Sequence, residues 1–344
     1  MRILIITLIS ALAPLVASAK PNLIYILLDD AGYGDFSCYG QEKFRTPRID
    51  RLAAEGIRFT DHYAGSTVCA PTRSVLMTGL HTGHTPSRGN KEVKPVGQFP
   101  IPDESFTIAE ALKAQGYATA AFGKWGLGFP GSEGDPLKQG FERFYGYNCQ
   151  RNAHTYYPTW LYDDGKKIKL DGKTYSHDLI MDEALAWVRS KKDGPFFCFL
   201  PVTIPHAALH VPEEYAAPFR KQFPEFEDKT GKYAGPPIKN PAAMFAGMMT
   251  KIDEDVGRLM DLLQELGIDD NTVVMFSSDN GPHKEGGHMP DFFNSSGDLR
   301  GHKRALYEGG IRTPMIARWP GKIEAGAVTG HISAHWDIFP TLCE

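Results

Sequence analysis

Cysteine is scarce in this chain of 344 residues. The five present, at positions 38, 69, 149, 198 and 343, are too few and too scattered for a disulfide-built scaffold. An excess of positive charge is also missing. Lysine and arginine total 37 against 41 aspartates and glutamates, and the net charge of −4 leaves no electrostatic footprint for nucleic acid. Beyond the first 19 residues no apolar run is long enough to span a bilayer. Internal repeats, low-complexity tracts and obvious interdomain linkers are absent as well. What remains is a mixed composition, 42% hydrophobic and 23% charged, able to bury one sizeable core.

Residues 1–19 read as an export signal. Arg2 is the charged start, residues 3–16 the apolar stretch, and Ala17-Ser18-Ala19 a small-residue cleavage site. The apolar part is short and Pro14 interrupts it, so a secreted or periplasmic address is expected rather than a membrane anchor.

From residue 20 onward helices and apolar strands alternate. Strands are expected at 22–28, 117–122, 196–200 and 272–277, and helices at 47–55, 107–115, 176–190 and up to Gly267. Thr107 and Glu110 form a capping-box pattern, with Gly116 closing that helix. In the last helix Ile252, Val256, Leu259 and Leu263 share one face. The pattern predicts a largely parallel sheet covered on both faces by helices. Cys198, inside an apolar strand, reads as a core thiol. Asp29-Asp30, Lys124, His206 and Asp279-Asn280 all follow predicted strands, where open α/β sheets bind ligands, so they point to one shared site.

The run Ser66-Thr67-Val68-Cys69-Ala70-Pro71-Thr72-Arg73-Ser74 completes that picture. Pro71 suits the first turn of a helix, and Gly79 suits the position just past its end. Cys69 then lies at a helix N-terminus, where free N–H groups favour negative charge, with Arg73 about one turn later. Aspartates and an asparagine are oxygen donors, suited to a hard cation such as calcium or magnesium.

The stretch from Cys69 to Gly79 resembles the signature of type I sulfatases. The run Gly116-Tyr117-Ala118-Thr119-Ala120-Ala121-Phe122-Gly123-Lys124-Trp125 resembles their second signature. The resemblance implies an alkaline-phosphatase-like α/β domain over residues 20–344. It also implies Cys69 oxidised to formylglycine by a formylglycine-generating enzyme or an equivalent. Calcium, rather than magnesium, would be held by Asp29, Asp30, Asp279, Asn280 and an oxygen of the modified residue 69. Arg73, Lys124 and Lys303 would bind the non-bridging oxygens of a sulfate ester, and His206 would protonate the leaving alcohol. The hydrated aldehyde would attack sulfur, and its second hydroxyl would let sulfate leave.

One position departs from the family. A histidine usually stands two residues after the lysine, and here that residue is Gly126. His154 is the candidate base in its place, with an ordinary structural histidine as the alternative. His283, His288 and His302 flank the Lys303 segment, as pocket lining or as polar surface alike. The implied activity is hydrolysis of aryl or carbohydrate sulfate esters, with no nucleic acid partner. A phosphomonoester or phosphonate ester hydrolase of the same superfamily and an inactive binding protein on the same fold remain open. Residues 335–344 read as a helix cut short. Since family members usually continue into a smaller C-terminal domain, a truncated catalytic domain is expected.

Overall fold

The computed structural model describes residues 20–95 and 97–344, so the expected export signal lies outside the described residues. One sheet of ten strands runs through the molecule. In chain order its strands are β1 (Asn22–Asp29), β2 (Ile57–Phe59), β3 (Ala118–Lys124), β4 (Arg143–Tyr147), β5 (Trp160–Asp163), β6 (Lys166–Lys169), β7 (Phe196–Pro205), β8 (Thr272–Ser278), β9 (Met315–Arg318) and β10 (Ala327–Thr329). Across the sheet they lie in the order β10-β2-β9-β8-β1-β7-β3-β4-β5-β6. The centre is parallel, with β1 between β8 and β7, and β3 between β7 and β4. Antiparallel strands extend it on both sides, from β8 to β9 and from β4 through β5 to β6. A mixed, largely parallel α/β sheet is the architecture that the alternating pattern predicts.

Every residue of β1 is buried, because both faces of the sheet are covered. Its side chains alternate between two cores. Ile24, Ile26 and Leu28 join the core under α1 (Pro47–Ala54), and Leu23, Tyr25 and Leu27 join the one under α2 (Cys69–Thr78) and α3 (Ile108–Ala114). The first core also takes the inner faces of α4 (Ser176–Ser190), α5 (Glu213–Gln222) and α6 (Pro241–Glu265). The capping box at the start of α3 is formed: Glu110 N donates to Thr107 Oγ1 at 3.2 Å, and Thr107 N donates to Glu110 Oε2 at 2.8 Å.

One expected boundary needs correction. The strand predicted at 196–200 runs on to Pro205, buried throughout, so His206 follows it directly instead of standing further along a loop. Pro201 and Pro205 suggest an earlier end, since proline cannot donate to a sheet ladder. The pairing of β7 with β1 accommodates them through a register shift between Leu27 and Asp29.

Candidate active site

The parallel strands β1, β3, β7 and β8 deliver their polar ends to one edge of the sheet, and α2 points its N-terminus there. Asp29 closes β1, and Asp30 follows with φ at +70°. Cys69 is the first residue of α2, after an extended Val68, and Gly79 terminates the helix with φ at +66°. All ten residues of α2 are buried, Arg73 among them, so this helix is packed into the protein as a structural part of the site.

The contacts knit these elements together. The Cys69 thiol donates to Asp29 Oδ1 at 3.3 Å, and Lys124 Nζ stands 2.5 Å from Asp29 Oδ2 and 3.6 Å from Cys69 Sγ. Arg73 Nη2 reaches Asp279 Oδ2 at 2.9 Å and Asp29 Oδ2 at 3.7 Å, while its Nη1 donates to the Lys124 carbonyl. Lys303 Nζ donates to Asp30 Oδ2 at 2.6 Å, and His206 Nε2 lies 3.4 Å from the same oxygen. Asn280 Nδ2 donates to Asp30 Oδ1 at 2.7 Å, and Asp30 N donates to Asp279 Oδ1 at 3.1 Å. The eight residues named from the strand ends and the two signatures, together with Lys303, thus form one buried cluster.

Its electrostatics are uneven. Burial would raise Asp29, yet Lys124, His206 and Arg73 hold it well below the usual carboxylate range. Asp30 is also lowered: burial opposes this, and Lys303 and His206 prevail. Asp279 goes the other way, pushed up to about 7 by burial and by the charge of Asp29, against which Arg73 is insufficient. The Cys69 thiol is likewise pushed up, by burial first and by Asp29 second. A cysteine nucleophile needs a lowered pKa, so this thiol is poorly suited to attack as a thiolate. Burial and then Lys303 bring His206 down to about 3, which leaves it neutral.

The residues fit a hard divalent cation. Among the described residues Asn280 Oδ1 has no hydrogen-bond partner, a buried, orphaned acceptor in a cluster of carboxylate oxygens. Single ligand atoms of Asp29, Asp30, Cys69 and His206 all lie within 4.8 Å of one another. A cation would satisfy the free amide oxygen and relieve the repulsion that raises Asp279.

A family model described as Sulfatase matches residues 21–344. The chain belongs to the sulfatase family. It is 31% identical to the N-acetylgalactosamine-6-sulfatase of Rattus norvegicus over 98% of this chain and 64% of that protein. It is 33% identical to the arylsulfatase A of Homo sapiens over 97% of this chain and 66% of that protein. The chain therefore spans about two thirds of the length of these relatives. Among solved structures, the crystal structure of Ps i-CgsB in complex with k-i-k-neocarrahexaose superposes with a TM-score of 0.80 at 30% identity, over 94% of this chain and 71% of the other.

The remaining histidines of this sulfatase-family site divide. His154 stacks on His206, with ring centroids 5.0 Å apart and planes within 3°. Burial and then Lys124 lower it to about 4, so it too is neutral. His283 also stacks on His206, at 5.8 Å, and the Nε2 of His283 pairs with the Pro205 carbonyl at 3.1 Å. His288 packs behind it against Phe245 at 3.9 Å. His302 instead lines a separate polar depression of about 180 Å³ with Lys284, Asp291 and Asn294. Two residues were not legible in the sequence. Tyr233 stands edge-on to both His154 and His206, at 4.9 and 5.8 Å, and Gln150 is buried beside Gly126. Both lie outside any motif, so no spacing pointed to them.

Proposed function

We propose that this chain carries the catalytic domain of an exported sulfatase. It would hydrolyse carbohydrate sulfate monoesters, using formylglycine made from Cys69 and calcium held by Asp29, Asp30, Asp279 and Asn280. The observation that carries the proposal is the setting of Cys69. Its thiol is buried against a carboxylate with its pKa raised, yet Lys124 stands 3.6 Å from it and the charges of Lys303 and Arg73 act on it as well. That surrounding suits an anionic ester and not a thiolate. A hydrated aldehyde at this position supplies one hydroxyl for attack on sulfur and a second whose deprotonation releases sulfate. Calcium, held by Asp29, Asp30, Asp279 and Asn280, would supply positive charge to offset that of the ester.

The chain's own groups carry the rest. Lys124 and Lys303 present ammonium groups to the sulfuryl oxygens, preorganised by Asp29 and Asp30. Arg73 is held by Asp279, Asp29 and the Lys124 carbonyl, so it fixes the carboxylates and adds charge from beneath. His206 donates its Nδ1–H to the Ala207 carbonyl, which turns Nε2 toward the cluster. The negative charge of a bound ester offsets Lys303 and favours the protonated form that can give its Nε2 proton to the leaving alcohol. His154, neutral at rest, is able to accept a proton and is the candidate base in this chain, which has Gly126 where the family usually has histidine. The carbohydrate preference draws on the named N-acetylgalactosamine-6-sulfatase and neocarrahexaose complex among the similar proteins.

Mass spectrometry of the Cys69 peptide, with sulfate release from aryl and sugar sulfates, tests the proposal. The expected result is an aldehyde at position 69, turnover of sulfate over phosphate esters, and a loss of about 10²–10³ in rate for Lys124→Ala. Native protein that retains the thiol completely and hydrolyses no ester would sink it. Faster cleavage of aryl phosphate would instead favour the phosphoester hydrolase.

A further inference from the structure

Gly126 and Gln150 meet in space although 24 positions separate them. Gly126 has φ at +81°, and a β-carbon there would lie 2.8 Å from Gln150 Nε2 and 3.4 Å from its Oε1. The amide therefore occupies space that a side chain at position 126 would take only by displacing it. Gly126 itself lies two residues beyond Lys124, whose ammonium group is in the site. Trp125 N donates to the Tyr147 carbonyl at 2.8 Å and Gly126 N to the Asn148 carbonyl at 3.1 Å, extending the pairing of β3 with β4 just beyond Lys124. Four residues after Gln150, His154 stacks on His206.

Gln150 is 5% exposed, and neither its Nε2 nor its Oε1 has a hydrogen-bond partner among the described residues. A buried amide with both ends unpaired is destabilising, and an apolar side chain of similar size would not carry that penalty. The unpaired atoms also specify what would satisfy them. A sulfuryl group offers only acceptors, so it can pair with Nε2 alone. A hydroxyl offers a donor and an acceptor and can pair with both ends of the amide. Sugar leaving groups carry hydroxyls beside the ester, whereas the ring of a simple aryl sulfate carries none.

We infer that Gln150 is a specificity-determining residue that reads a hydroxyl of the carbohydrate leaving group, next to the sulfated position. This rests on the proposed sulfatase reading and deepens it. Gly126 is the complementary half of the device, since its missing side chain is what admits the amide. The same substitution thus removes a potential proton acceptor and admits a neutral reader of the alcohol.

The test uses Gln150→Leu and, should leucine disturb folding, Gln150→Met, each checked by thermal melting. Turnover is measured on 4-nitrophenyl sulfate and on galactose and N-acetylgalactosamine sulfates. Calorimetric binding of the same sugars is measured on protein whose Cys69 is still a thiol. The expected result is an equal or higher melting temperature and aryl sulfate turnover within about 3-fold of the unaltered protein. Sugar sulfate kcat/KM and affinity should fall on the order of 10- to 100-fold. Equal losses on both substrates would overturn the inference, because Gln150 would then act on the sulfuryl group. No loss on either would overturn it too, because the amide would then serve packing or hold water only. Unaltered protein that cleaves 4-nitrophenyl sulfate but neither binds nor cleaves any of the sugars refutes the role of Gln150 and leaves the sulfatase reading intact. Gln150-dependent sugar binding with no ester hydrolysis upholds the role and sinks the enzyme reading.

Discussion

Two buried charge networks in this protein are built from the same kinds of side chain and behave in opposite ways. Between α4 and α6, Asp255 accepts hydrogen bonds from His177 Nε2 at 3.0 Å, Lys251 Nζ at 2.7 Å and Arg258 Nη1 at 2.9 Å. Burial works against its charge, but His177 and Lys251 hold Asp255 below the usual carboxylate range. At the sheet edge, Asp279 is as deeply buried and has Arg73 for a partner, yet the neighbouring Asp29 leaves it raised to about 7. Beside it, Asn280 Oδ1 has no partner among the described residues. In the first network both oxygens of the carboxylate are paired with donors, and those pairs tie two helices together. The second keeps an unmet acceptor and an ill-matched carboxyl, as expected where a ligand completes the balance. Satisfied charge marks scaffold here, and unsatisfied charge marks the site.

The largest expected effect breaks the network around Asp255. Asp255→Ala leaves Lys251 and His177 short of a buried partner and should cost about 3–5 kcal/mol in urea unfolding. Asp279→Asn in metal-free protein should stay within about 1 kcal/mol of the unaltered chain, or exceed it, because it removes a disfavoured charge. Equal losses for the two would erase the distinction. Next in size is the response to metal. Calcium at about a hundred times its Kd should add about 2.7 kcal/mol, read as a higher melting temperature against chelator-treated protein. Asp279→Asn should blunt that shift, and Asp255→Asn should preserve it. The smallest effect is acid sensitivity of the scaffold. A carboxyl with a lowered folded pKa contributes stability above its unfolded value of about 4, and that contribution fades as pH falls. Unaltered protein should therefore lose about 1.4 kcal/mol per pH unit more than Asp255→Asn below pH 4, measured by unfolding across that range.

Much of the site was readable along the chain because its residues sit at strand ends and helix starts, which apolar runs and punctuating residues announce. Asp29-Asp30, Lys124 and Asp279-Asn280 follow strands seen as short apolar stretches, and Pro71 and Gly79 bracket α2. The N-terminal half of α6 was not readable. Residues from Pro241 to Met249 are all buried, so no polar face gives the helical period, whereas Ile252 to Leu263 show it. The end of β7 was hidden by its two prolines.

By itself the sequence determined the class of fold, the cluster of acid and base residues at one sheet edge, and the family, since each depends on local periodicity or on short motifs. Only the tertiary structure decided that Gln150 lies against Gly126, that His154 stacks on His206, and that Asn280 is left with a free acceptor. These facts depend on strand pairing and packing between segments far apart in the chain. No local pattern encodes such contacts, because hydrogen bonds and sterics act on distance in space and not on separation in sequence.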